Sequence, residues 1–191
     1  MKVSREQATQ NRERIVDAAA ELFRERGFEG IGVADLMKTV GLTHGGFYGH
    51  FSSKEELLAQ ACACALTRTH EGWSRRADSV PDDPLSSIAG AYLSRRHRDD
   101  PGSGCVLAAL GPDVARHGPG VRRAVTEGLC SAFDLLTGLV AGKSKAARRQ
   151  KAISIYASMV GAMIMARVVD DRALSDEILN AALASVSKSN T

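Results

Sequence analysis

The sequence is poor in aromatic side chains and shows no strong imbalance of charge. Aromatic residues make up 5% of its 191 residues, whereas hydrophobic residues make up 44% and charged residues 25%, which is ordinary for a soluble globular protein. The formal net charge is only +3, which permits nucleic-acid binding but does not argue for it. The length suits one domain of moderate size, or a small domain joined to a larger one.

Cysteine is scarce as well, and the four residues are Cys62, Cys64, Cys105 and Cys130. We expect reduced thiols, as is usual in the cytosol. Cys62 and Cys64 are two positions apart, so on a helix they point to different faces. Because no histidine lies near them at the spacing of a zinc site, the sequence predicts neither a structural metal nor a cofactor.

Long hydrophobic runs and a secretory signal are also lacking. We find no apolar run of the roughly 18 residues that a membrane span needs, and the start of the chain, MKVSREQATQNRER, is too polar for a signal peptide. A cytoplasmic location without a membrane span is therefore expected. Phosphate contact and a solvated helix start explain equally well the basic residues near the N-terminus, Lys2, Arg5, Arg12 and Arg14.

Strand patterns are missing too, and the periodicity that is present is helical. In the segment 9–26, Ile15, Leu22 and the residues beside them recur at helical spacing, and Gly27 suits a left-handed helix cap. The sequence predicts an all-α fold of about nine helices, over 9–26, 33–40, 44–50, 54–76, 85–97, 105–116, 121–141, 146–169 and 172–187. A shift in composition at 78–84, DSVPDDP, separates a small N-terminal part from a larger helical body.

The segment 32–51 has the order of parts that a helix-turn-helix needs, namely two short helices and a tight turn with a glycine and an apolar plug. Gly41 ends the first helix, Leu42 is the plug, and Thr43 is predicted to cap the second helix with its hydroxyl. In such motifs the second helix reads the major groove with its N-terminal residues. Here these are Thr43, His44, Gly45 and Gly46. Glycine disfavours a helix, and close approach of the backbone to DNA is one reason to keep it.

Side chains further along the motif can serve either DNA or the core. Tyr48 and His50 can donate to phosphate oxygens, although residues at the edge of an amphipathic core have the same pattern. Lys54 begins the next helix, where an ammonium group and the helix dipole together favour an anion. Phe47 and Phe51 are four positions apart and are expected to share a face toward the small core.

Taken together, the runs RERIVDAAAELFRERGFEG and VADLMKTVGLTHGGFYGHFSSKEELL closely resemble the N-terminal domain of the TetR family of transcriptional regulators. The matches are Ala18-Ala19, Leu22-Phe23, Gly27-Phe28, Gly41-Leu42-Thr43, Gly46-Phe47-Tyr48, His50-Phe51 and Ser53-Lys54-Glu55. Gly32 departs from the pattern where the family often has Ser or Thr, and Leu36-Met37 departs where it has Ile-Ala. The resemblance covers residues 9–69 and implies that 70–191 form a domain for ligand binding and dimerisation.

This resemblance implies a regulator that binds operator DNA, usually a repressor, although the sequence does not separate repression from activation. It also implies the residues that contact DNA, which are Thr43, His44, Gly45, Gly46, Tyr48, His50 and Lys54. We expect Thr43, Tyr48 and Lys54 on the DNA backbone. His44 and Gly45 are the better candidates for contacts to base edges.

The helix predicted over 146–169 is apolar nearly all round, and such a helix needs one partner inside the subunit and another outside it. Small residues allow another helix to come close, namely Ala157, Gly161, Ala162 and Ala166. By resemblance, this helix and the one over 172–187 form a four-helix bundle with the same pair of a second subunit. The alternative is that both helices belong only to the core of a monomer.

By the same resemblance, the helices predicted over 85–97, 105–116 and 121–141 enclose a cavity for a small-molecule effector. The candidate lining residues are Tyr92, Leu107, Leu110, Phe133 and Tyr156. A plain hydrophobic core explains all of them equally well. The identity of the effector, the operator and the target genes is not readable from the sequence.

Cys105 follows a break in the helical pattern, DDPGSG at 99–104, and starts a helix, where a thiol can be unusually reactive. Some members of the TetR family sense electrophiles or oxidants through cysteine, and the Gly-Cys pair here is similar to one such subgroup. The alternative is an inert buried cysteine. Two other classes of protein stay open: a DNA-binding regulator without a ligand, and a thiol-dependent enzyme with Cys105 as nucleophile and His117 as base.

Overall fold

The structure is a computed structural model that describes residues 4–189, and over that range it is helical without a strand. The all-α prediction is therefore confirmed, whereas Lys2 lies outside the described residues. The helices are α1 (Arg5–Arg26), α2 (Val33–Thr39), a 3₁₀ helix (His44–Gly49), α3 (Lys54–Ser79), α4 (Pro84–Tyr92), α5 (Arg95–Asp99), α6 (Val106–Arg116), α7 (Pro119–Leu139), α8 (Lys145–Val168) and α9 (Arg172–Ser189).

Several of these helices start at a side chain that accepts a hydrogen bond from the first turn, which satisfies a backbone N–H that has no partner within the helix. The Ser4 hydroxyl accepts from the Gln7 N–H at 3.1 Å, so α1 begins at Arg5 and not at residue 9 as predicted. At the other end, Gly27 has a φ of +76° and a ψ of 164°, so glycine is favoured there as predicted, but its backbone is not in the left-handed helical conformation of the predicted cap. Phe28 then packs against Phe23, with ring centroids 5.4 Å apart.

Other boundaries differ from the sequence predictions as well, and α3 ends at Ser79 and not at residue 76. The segment 85–97 is two helices, because α4 ends at Tyr92 and Ser94 starts α5 by accepting from the His97 N–H at 3.2 Å. The predicted break at 117–120 is shorter than expected. Pro119 occupies the first turn of α7, where the missing N–H of proline has no helical partner to lose.

Two hydrophobic cores follow each other along the molecule. The first joins α1, α2, the 3₁₀ helix and the first half of α3, and it is closed by α6 and the start of α7. The second joins the other half of α3 to α4, α7, α8 and α9. Helix α3 therefore takes part in both cores and connects them.

Helix α8 corrects one expectation from the sequence. By length and composition it is long and apolar enough to cross a membrane, and well under half of the apolar stretch is buried inside the subunit. Length and composition alone are weak evidence for a membrane span, because the core helix of a soluble protein can have the same length and composition. Here α8 packs between α7 and α9 and contributes seven buried residues to the subunit, Ala152, Ile155, Tyr156, Met159, Ala162, Met163 and Ala166.

Candidate nucleic-acid interface and ligand cleft

The segment 32–51 folds as α2, a tight turn and the 3₁₀ helix. The turn depends on Gly41, whose φ of +72° lies in the left-handed region that side chains other than glycine rarely adopt. The Leu42 N–H donates to the Met37 carbonyl at 2.9 Å, and the Leu42 side chain packs on the first core. The predicted roles of Gly41 and Leu42 in the turn therefore agree with the structure.

The second helix of the motif differs from the prediction in two respects. It is a 3₁₀ helix, held by bonds such as Gly46 N–H to the Thr43 carbonyl at 3.0 Å and His50 N–H to the Phe47 carbonyl at 2.9 Å. The Thr43 hydroxyl makes no capping hydrogen bond, because the tighter helix already uses the Thr43 carbonyl to hold the Gly46 N–H. The predicted side-chain cap is wrong.

One surface of this short helix is open to solvent, and we call its residues Thr43, His44, Gly45, Gly46 and Tyr48 the tip. Thr43, His44, Gly45 and Tyr48 are exposed, with Tyr48 65% exposed, and Gly46 is half-buried. A Cβ atom added to Gly45 would find no described atom within 4 Å. Crowding inside the subunit therefore does not explain this glycine, and the room it leaves lies outside the subunit.

Aromatic packing on the buried side of the 3₁₀ helix supports the tip. Phe47 is 1% exposed and Phe51 is 2% exposed, with ring centroids 5.5 Å apart. Both face the first core as predicted. The guanidinium of Arg12 lies over the Phe51 ring at 4.2 Å from its centroid, donates to the His50 carbonyl and pairs with Glu56 at 3.1 Å.

Two of the basic residues near the N-terminus, Arg12 and Arg14, bind within the subunit, whereas the sequence suggested phosphate contact or a solvated helix start. Arg12 fixes the end of the motif through His50, and Arg14 donates to the Val40 carbonyl at the end of α2 at 2.7 Å. Both arginines bind the backbone of the helix-turn-helix from α1. Their partners are 26 and 38 positions away in sequence, so no local pattern points to them.

Glu56 connects this bracing to the start of α3. Its carboxylate accepts from the Ser52 N–H at 2.8 Å and from the Ser52 hydroxyl at 2.7 Å, while its own N–H donates to the Ser53 hydroxyl at 3.0 Å. The hydrogen bonds from Ser52, followed by those from Arg12, lower the pKa of Glu56. The charged form of Glu56 is therefore the one that the fold holds.

Lys54 is engaged within the subunit. Its ammonium donates to the Phe28 carbonyl at 2.5 Å, lies 4.3 Å from the Phe28 ring centroid and approaches Glu29 at 4.0 Å. A phosphate contact would require the ammonium to exchange these partners for DNA. The contact to phosphate stays a prediction, as do the contacts proposed for the residues of the tip and for His50.

The second part of the molecule contains an open cleft of about 980 Å³ between α3, α4 and the segment 94–105. Its lining residues are Arg68, Thr69, Gly72, Trp73, Arg76, Ser86, Ser87, Gly90, Ala91, Tyr92, Ser94, Arg96, His97, Asp100, Ser103, Gly104 and Cys105. Of the candidates from the sequence, Tyr92 and Cys105 are on this surface. The structure places Leu107, Leu110, Phe133 and Tyr156 in or against the cores instead.

The walls of the cleft also differ from those expected. Helices α6 and α7, predicted as walls over 105–116 and 121–141, do not line it apart from Cys105 before α6, and α3 forms one wall that the sequence did not indicate. Phe133 on α7 instead packs against Tyr156 on α8, with ring centroids 5.9 Å apart. Residues of α3 such as Arg68 and Arg76 were missed because a solvated helix face has the same sequence pattern.

Cys105 is 3% exposed and lies at the inner wall of the cleft. Its N–H donates to His97 Nε2 at 2.9 Å, and its Sγ is 3.6 Å from the Tyr156 hydroxyl. Because Nε2 of His97 accepts, Nδ1 is the atom that donates to the Tyr92 carbonyl, at 2.6 Å. Burial lowers the pKa of His97, which fits this neutral imidazole.

Two buried polar atoms beside the cleft have no hydrogen-bond partner among the described residues: Tyr92 Oη and Arg167 Nη1. The other nitrogens of Arg167 donate to backbone, Nη2 to the His97 carbonyl at 2.6 Å and Nε to the Arg98 carbonyl at 3.1 Å. Burial lowers the pKa of Arg167 and raises that of Tyr92 well above its ordinary value.

Cys105 and His117 are not brought together. They flank the two ends of α6, a separation of about 18 Å at the helical rise of about 1.5 Å per residue. His117 packs edge-on against Phe28 at 4.3 Å between ring centroids and lies 3.8 Å from Glu55. The nucleophile-base pair of the enzyme hypothesis is therefore not formed. Over residues 4–189, no group of three or more His, Cys, Asp or Glu residues could hold a metal ion.

Sequence comparison finds relatives with the same motif. The family described as bacterial regulatory proteins, tetR family, matches residues 15–61. The chain is 36% identical to the HTH-type transcriptional regulator TtgR of Pseudomonas putida over 91 residues, 47% of this chain and 43% of TtgR. It is 26% identical to the HTH-type transcriptional repressor NemR of Escherichia coli over 167 residues, 82% of this chain and 84% of NemR. The alignment with TtgR thus spans less than half of that protein.

Comparison with solved structures extends the likeness to the whole fold. Escherichia coli NemR in its reduced form superposes with a TM-score of 0.79 at 24% identity, covering 95% of this chain and 98% of that one. A TetR-family regulator from Agrobacterium tumefaciens has a TM-score of 0.78 at 20% identity, covering 96% and 100%. At these identities the superpositions show a shared fold, with the helix-turn-helix at the N-terminus and a larger helical body behind it.

Proposed function

The chain belongs to the TetR family of regulators, and on this basis we propose that it is a transcriptional repressor that binds operator DNA. In this proposal the protein works in the cytoplasm as a homodimer, and a small-molecule effector releases it from DNA. The names of its relatives, HTH-type regulators and a repressor, support this function.

The observation that carries the proposal is the exposed tip on a firmly held 3₁₀ helix. Tyr48 is 65% exposed although its neighbour Phe47 is 1% exposed, so the fold does not need the tyrosine ring for its core. Hydroxyl, imidazole and backbone N–H groups of the kind found at the tip bind phosphates and base edges. We assign DNA contact to Thr43, His44, Gly45, Gly46, Tyr48, His50 and Lys54.

The homodimer is supported by where apolar surface lies. Of the seven large hydrophobic side chains exposed in the described residues, five are on α8 and α9: Ile153, Ile164, Met165, Val168 and Leu174. A Cβ atom added to Gly161 would find no described atom within 4 Å, which leaves room for a neighbouring helix. Exposed apolar side chains gathered on two helices support an interaction surface, and a two-fold partner would cover them with the same helices.

The cleft favours a regulator with an effector over one without. Its volume of about 980 Å³ falls at the upper end of the range of small-molecule sites, and a body that served only for dimerisation would not need it. Cys105 is at the inner wall, so a thiol-reactive effector would have to reach it through the cleft. Substitution Cys105→Ser separates the two kinds of effector, since only a thiol-reactive one needs the sulfur atom.

The experiment is a selection of binding sites by the full chain from duplex DNA of random sequence, followed by fluorescence anisotropy on a selected duplex. Thr43→Ala and Tyr48→Ala should each weaken binding about tenfold, because each removes a donor at the DNA backbone. Thr126→Ala is the matched control. Thr126 is an exposed threonine on α7 whose hydroxyl donates only to the Arg122 carbonyl of its own helix.

Failure of the selection to enrich any sequence would overturn the proposal. So would equal losses of affinity for Thr43→Ala and Thr126→Ala. Dimerisation is read separately by sedimentation of the DNA-free protein. A mass equal to one chain, at a concentration where the selected duplex binds, would contradict the homodimer.

A further inference from the structure

Positive charge on this chain is densest in the loop before α8 and the first two turns of that helix. The run from Lys143 to Lys151, KSKAARRQK, holds five lysine and arginine residues and no acidic one. We call residues 143–151 the basic segment. Because the formal net charge of the whole chain is only +3, the rest of the chain carries a small negative excess. A block of like charges repels itself and often binds a partner of opposite charge.

Little of this charge is matched within the subunit. Arg149 pairs with Asp134 of α7 at 2.7 Å, and Asp134 is the one acidic side chain within 4 Å of the basic segment among the residues that the structure describes. Lys143, Lys145 and Arg148 are exposed, and none of them has an ion-pair partner within 4 Å over residues 4–189. Three cations are thus left to solvent or to a partner.

The local structure brings these like charges together. Lys145 and Arg148 are in the first turn of α8, where the positive end of the helix dipole disfavours a cation, and Ser144 caps the helix without adding a negative charge. Lys145 and Arg149 are four positions apart, and Arg148 and Lys151 are three apart, which places neighbouring Cβ atoms about 5–6 Å from each other. The free protein therefore keeps a repulsion that a polyanion would relieve.

Helix α7 shows how far the basic segment lies from the helix-turn-helix. At the start of α7 the Gly118 N–H donates to Glu55 Oε1 at 2.7 Å, in the first turn of α3. Further along, a Cβ atom added to Gly128 would lie 2.6 Å from Leu66 Cδ1, so α3 and α7 run side by side in the same direction. The 21 residues of α7 extend about 31 Å, and the basic segment follows the far end. Its side chains are too distant to bind the phosphates beside the tip.

The composition of the basic segment favours nucleic acid over a lipid surface. Helices that bind lipid surfaces insert large apolar side chains such as Trp, Phe or Leu. Of the large hydrophobic side chains exposed in the described residues, none belongs to the basic segment. Duplex DNA instead presents one phosphate charge per about 1.7 Å of its axis, and it releases counterions when lysine and arginine neutralise those charges. Contacts to phosphate carry no sequence information directly.

We propose that the basic segment is a second DNA-binding surface, which binds the phosphates of a duplex other than the one at the tip and does so without regard to sequence. Lys143, Lys145 and Arg148 bind the phosphates, while Arg149 stays paired with Asp134. A protein with DNA-binding surfaces at both ends of α7 holds two segments of DNA together. That the tip holds operator DNA rests on the proposed function; the affinity of the basic segment for DNA does not.

The first experiment measures the affinity of the full chain for a short labelled duplex of arbitrary sequence, by fluorescence anisotropy over a series of salt concentrations. The variant tested combines Lys143→Gln, Lys145→Gln and Arg148→Gln. Its affinity should fall about tenfold or more. The slope of the logarithm of affinity against the logarithm of salt should shrink by about 2.7, because each phosphate contact contributes about 0.9.

The matched control removes the same amount of charge elsewhere on the body. It combines Arg96→Gln, Arg116→Gln and Arg172→Gln, three exposed cations on α5, α6 and α9. If only the net charge matters, the two triple variants lose affinity equally, and the proposal is wrong. The proposal is also wrong if the basic-segment variant instead loses binding to vesicles of phosphatidylglycerol and phosphatidylcholine while its affinity for DNA is unchanged, since the partner is then a lipid surface.

The second experiment asks whether one protein holds two duplexes. A duplex from the selection of binding sites is immobilised and saturated with protein, and the labelled duplex of arbitrary sequence is then added. The original protein and the control variant should retain the second duplex. The basic-segment variant should still bind the immobilised duplex but retain at least about tenfold less of the second one. Equal retention by all three proteins would overturn the proposal.

The two experiments separate this inference from the proposed function. If the selection enriches no sequence but the two triple variants differ in affinity for the arbitrary duplex, the basic segment binds DNA and the proposed function is wrong. If the selection succeeds but the two triple variants bind the arbitrary duplex equally well, the proposed function stands and the second DNA-binding surface does not exist.

Discussion

The two ends of helix α3 lie in regions that treat their polar groups in opposite ways. Around the helix-turn-helix, Arg12, Arg14 and Lys54 all bind carbonyl groups of the same subunit. In the cleft, Arg76 lacks an ion-pair partner among the described residues and the buried Tyr92 hydroxyl lacks a hydrogen bond. The basic side chains around the helix-turn-helix are thus engaged within the subunit, whereas the cleft leaves basic groups open to solvent.

The fold therefore depends on the polar side chains of these two regions to different degrees. In the helix-turn-helix, charged side chains fix the backbone and leave the exposed tip with no structural duty. In the cleft, by contrast, Arg76 and Arg96 are exposed, so the cores do not depend on them. Substitutions that remove a buried contact or a bond to the backbone should therefore destabilise the fold, whereas substitutions of exposed side chains should not, and three measurements test this difference.

The largest effect is expected at the packing below the tip. Phe51→Ala should lower the free energy of unfolding by about 3–5 kcal/mol, because Phe51 is 2% exposed and carries the Arg12 guanidinium on its ring. Tyr48→Ala, three positions away, should change it by less than about 0.5 kcal/mol. Urea unfolding followed by circular dichroism measures both. A loss of comparable size for Tyr48→Ala would mean that the tip supports the fold after all.

A smaller effect is expected where the two regions meet. Arg24 on α1 donates through Nε to the Gly102 carbonyl at 2.7 Å, and its Nη2 donates to the same atom, which ties the loop before Cys105 to the DNA-binding part. Arg24→Gln should cost about 2 kcal/mol and speed amide hydrogen exchange in the segment 99–104. Arg26→Gln, an exposed position on the same helix, is the control. Equal exchange rates in the two variants would show that Arg24 does not hold the loop.

The smallest effect should depend on pH and involves Glu56. Its pKa is lowered in the folded protein from an ordinary 4.5, so the stabilisation is present above that ordinary value and is lost as the pH falls through the lowered one. Because Glu56 is partly exposed, solvent screening limits the effect to roughly 1 kcal/mol or less. Glu56→Gln should melt below the original protein at about pH 7 and match it near pH 3. A difference that persists in acid would contradict the role of the carboxylate.

The sequence predicted best what depends on neighbours within one or two helical turns. Ile15 and Phe23 recur on one face of α1, and Phe47 and Phe51 are one turn apart, so their burial could be read from spacing. Gly27 and Gly41 mark helix ends because positive φ is needed there. The identification of the family rested on the same short-range pattern.

What escaped prediction depends on partners far away in the chain. Arg12 and Glu56 are 44 positions apart, and Arg24 is 78 from Gly102. Ser94 starts a new helix inside a run that reads as one. The cleft was expected among apolar side chains, but it is lined by a polar face of α3, which periodicity assigns to solvent. Only the folded arrangement of α3, α4 and the loop after α5 turns that face into a site.

The 26 residues of α3 have a mechanical consequence. At about 1.5 Å per residue the helix is about 39 Å long, and it carries residues of the cleft wall toward one end and Glu56, which pairs with Arg12, in its first turn. As a stiff lever, it converts a tilt of about 5° at the cleft into a displacement of about 3 Å at the far end, close to the ~3.4 Å step between stacked base pairs. A tilt of this size would therefore move the first turn of α3, together with the Glu56 carboxylate that pairs with Arg12, by about the spacing of adjacent base pairs.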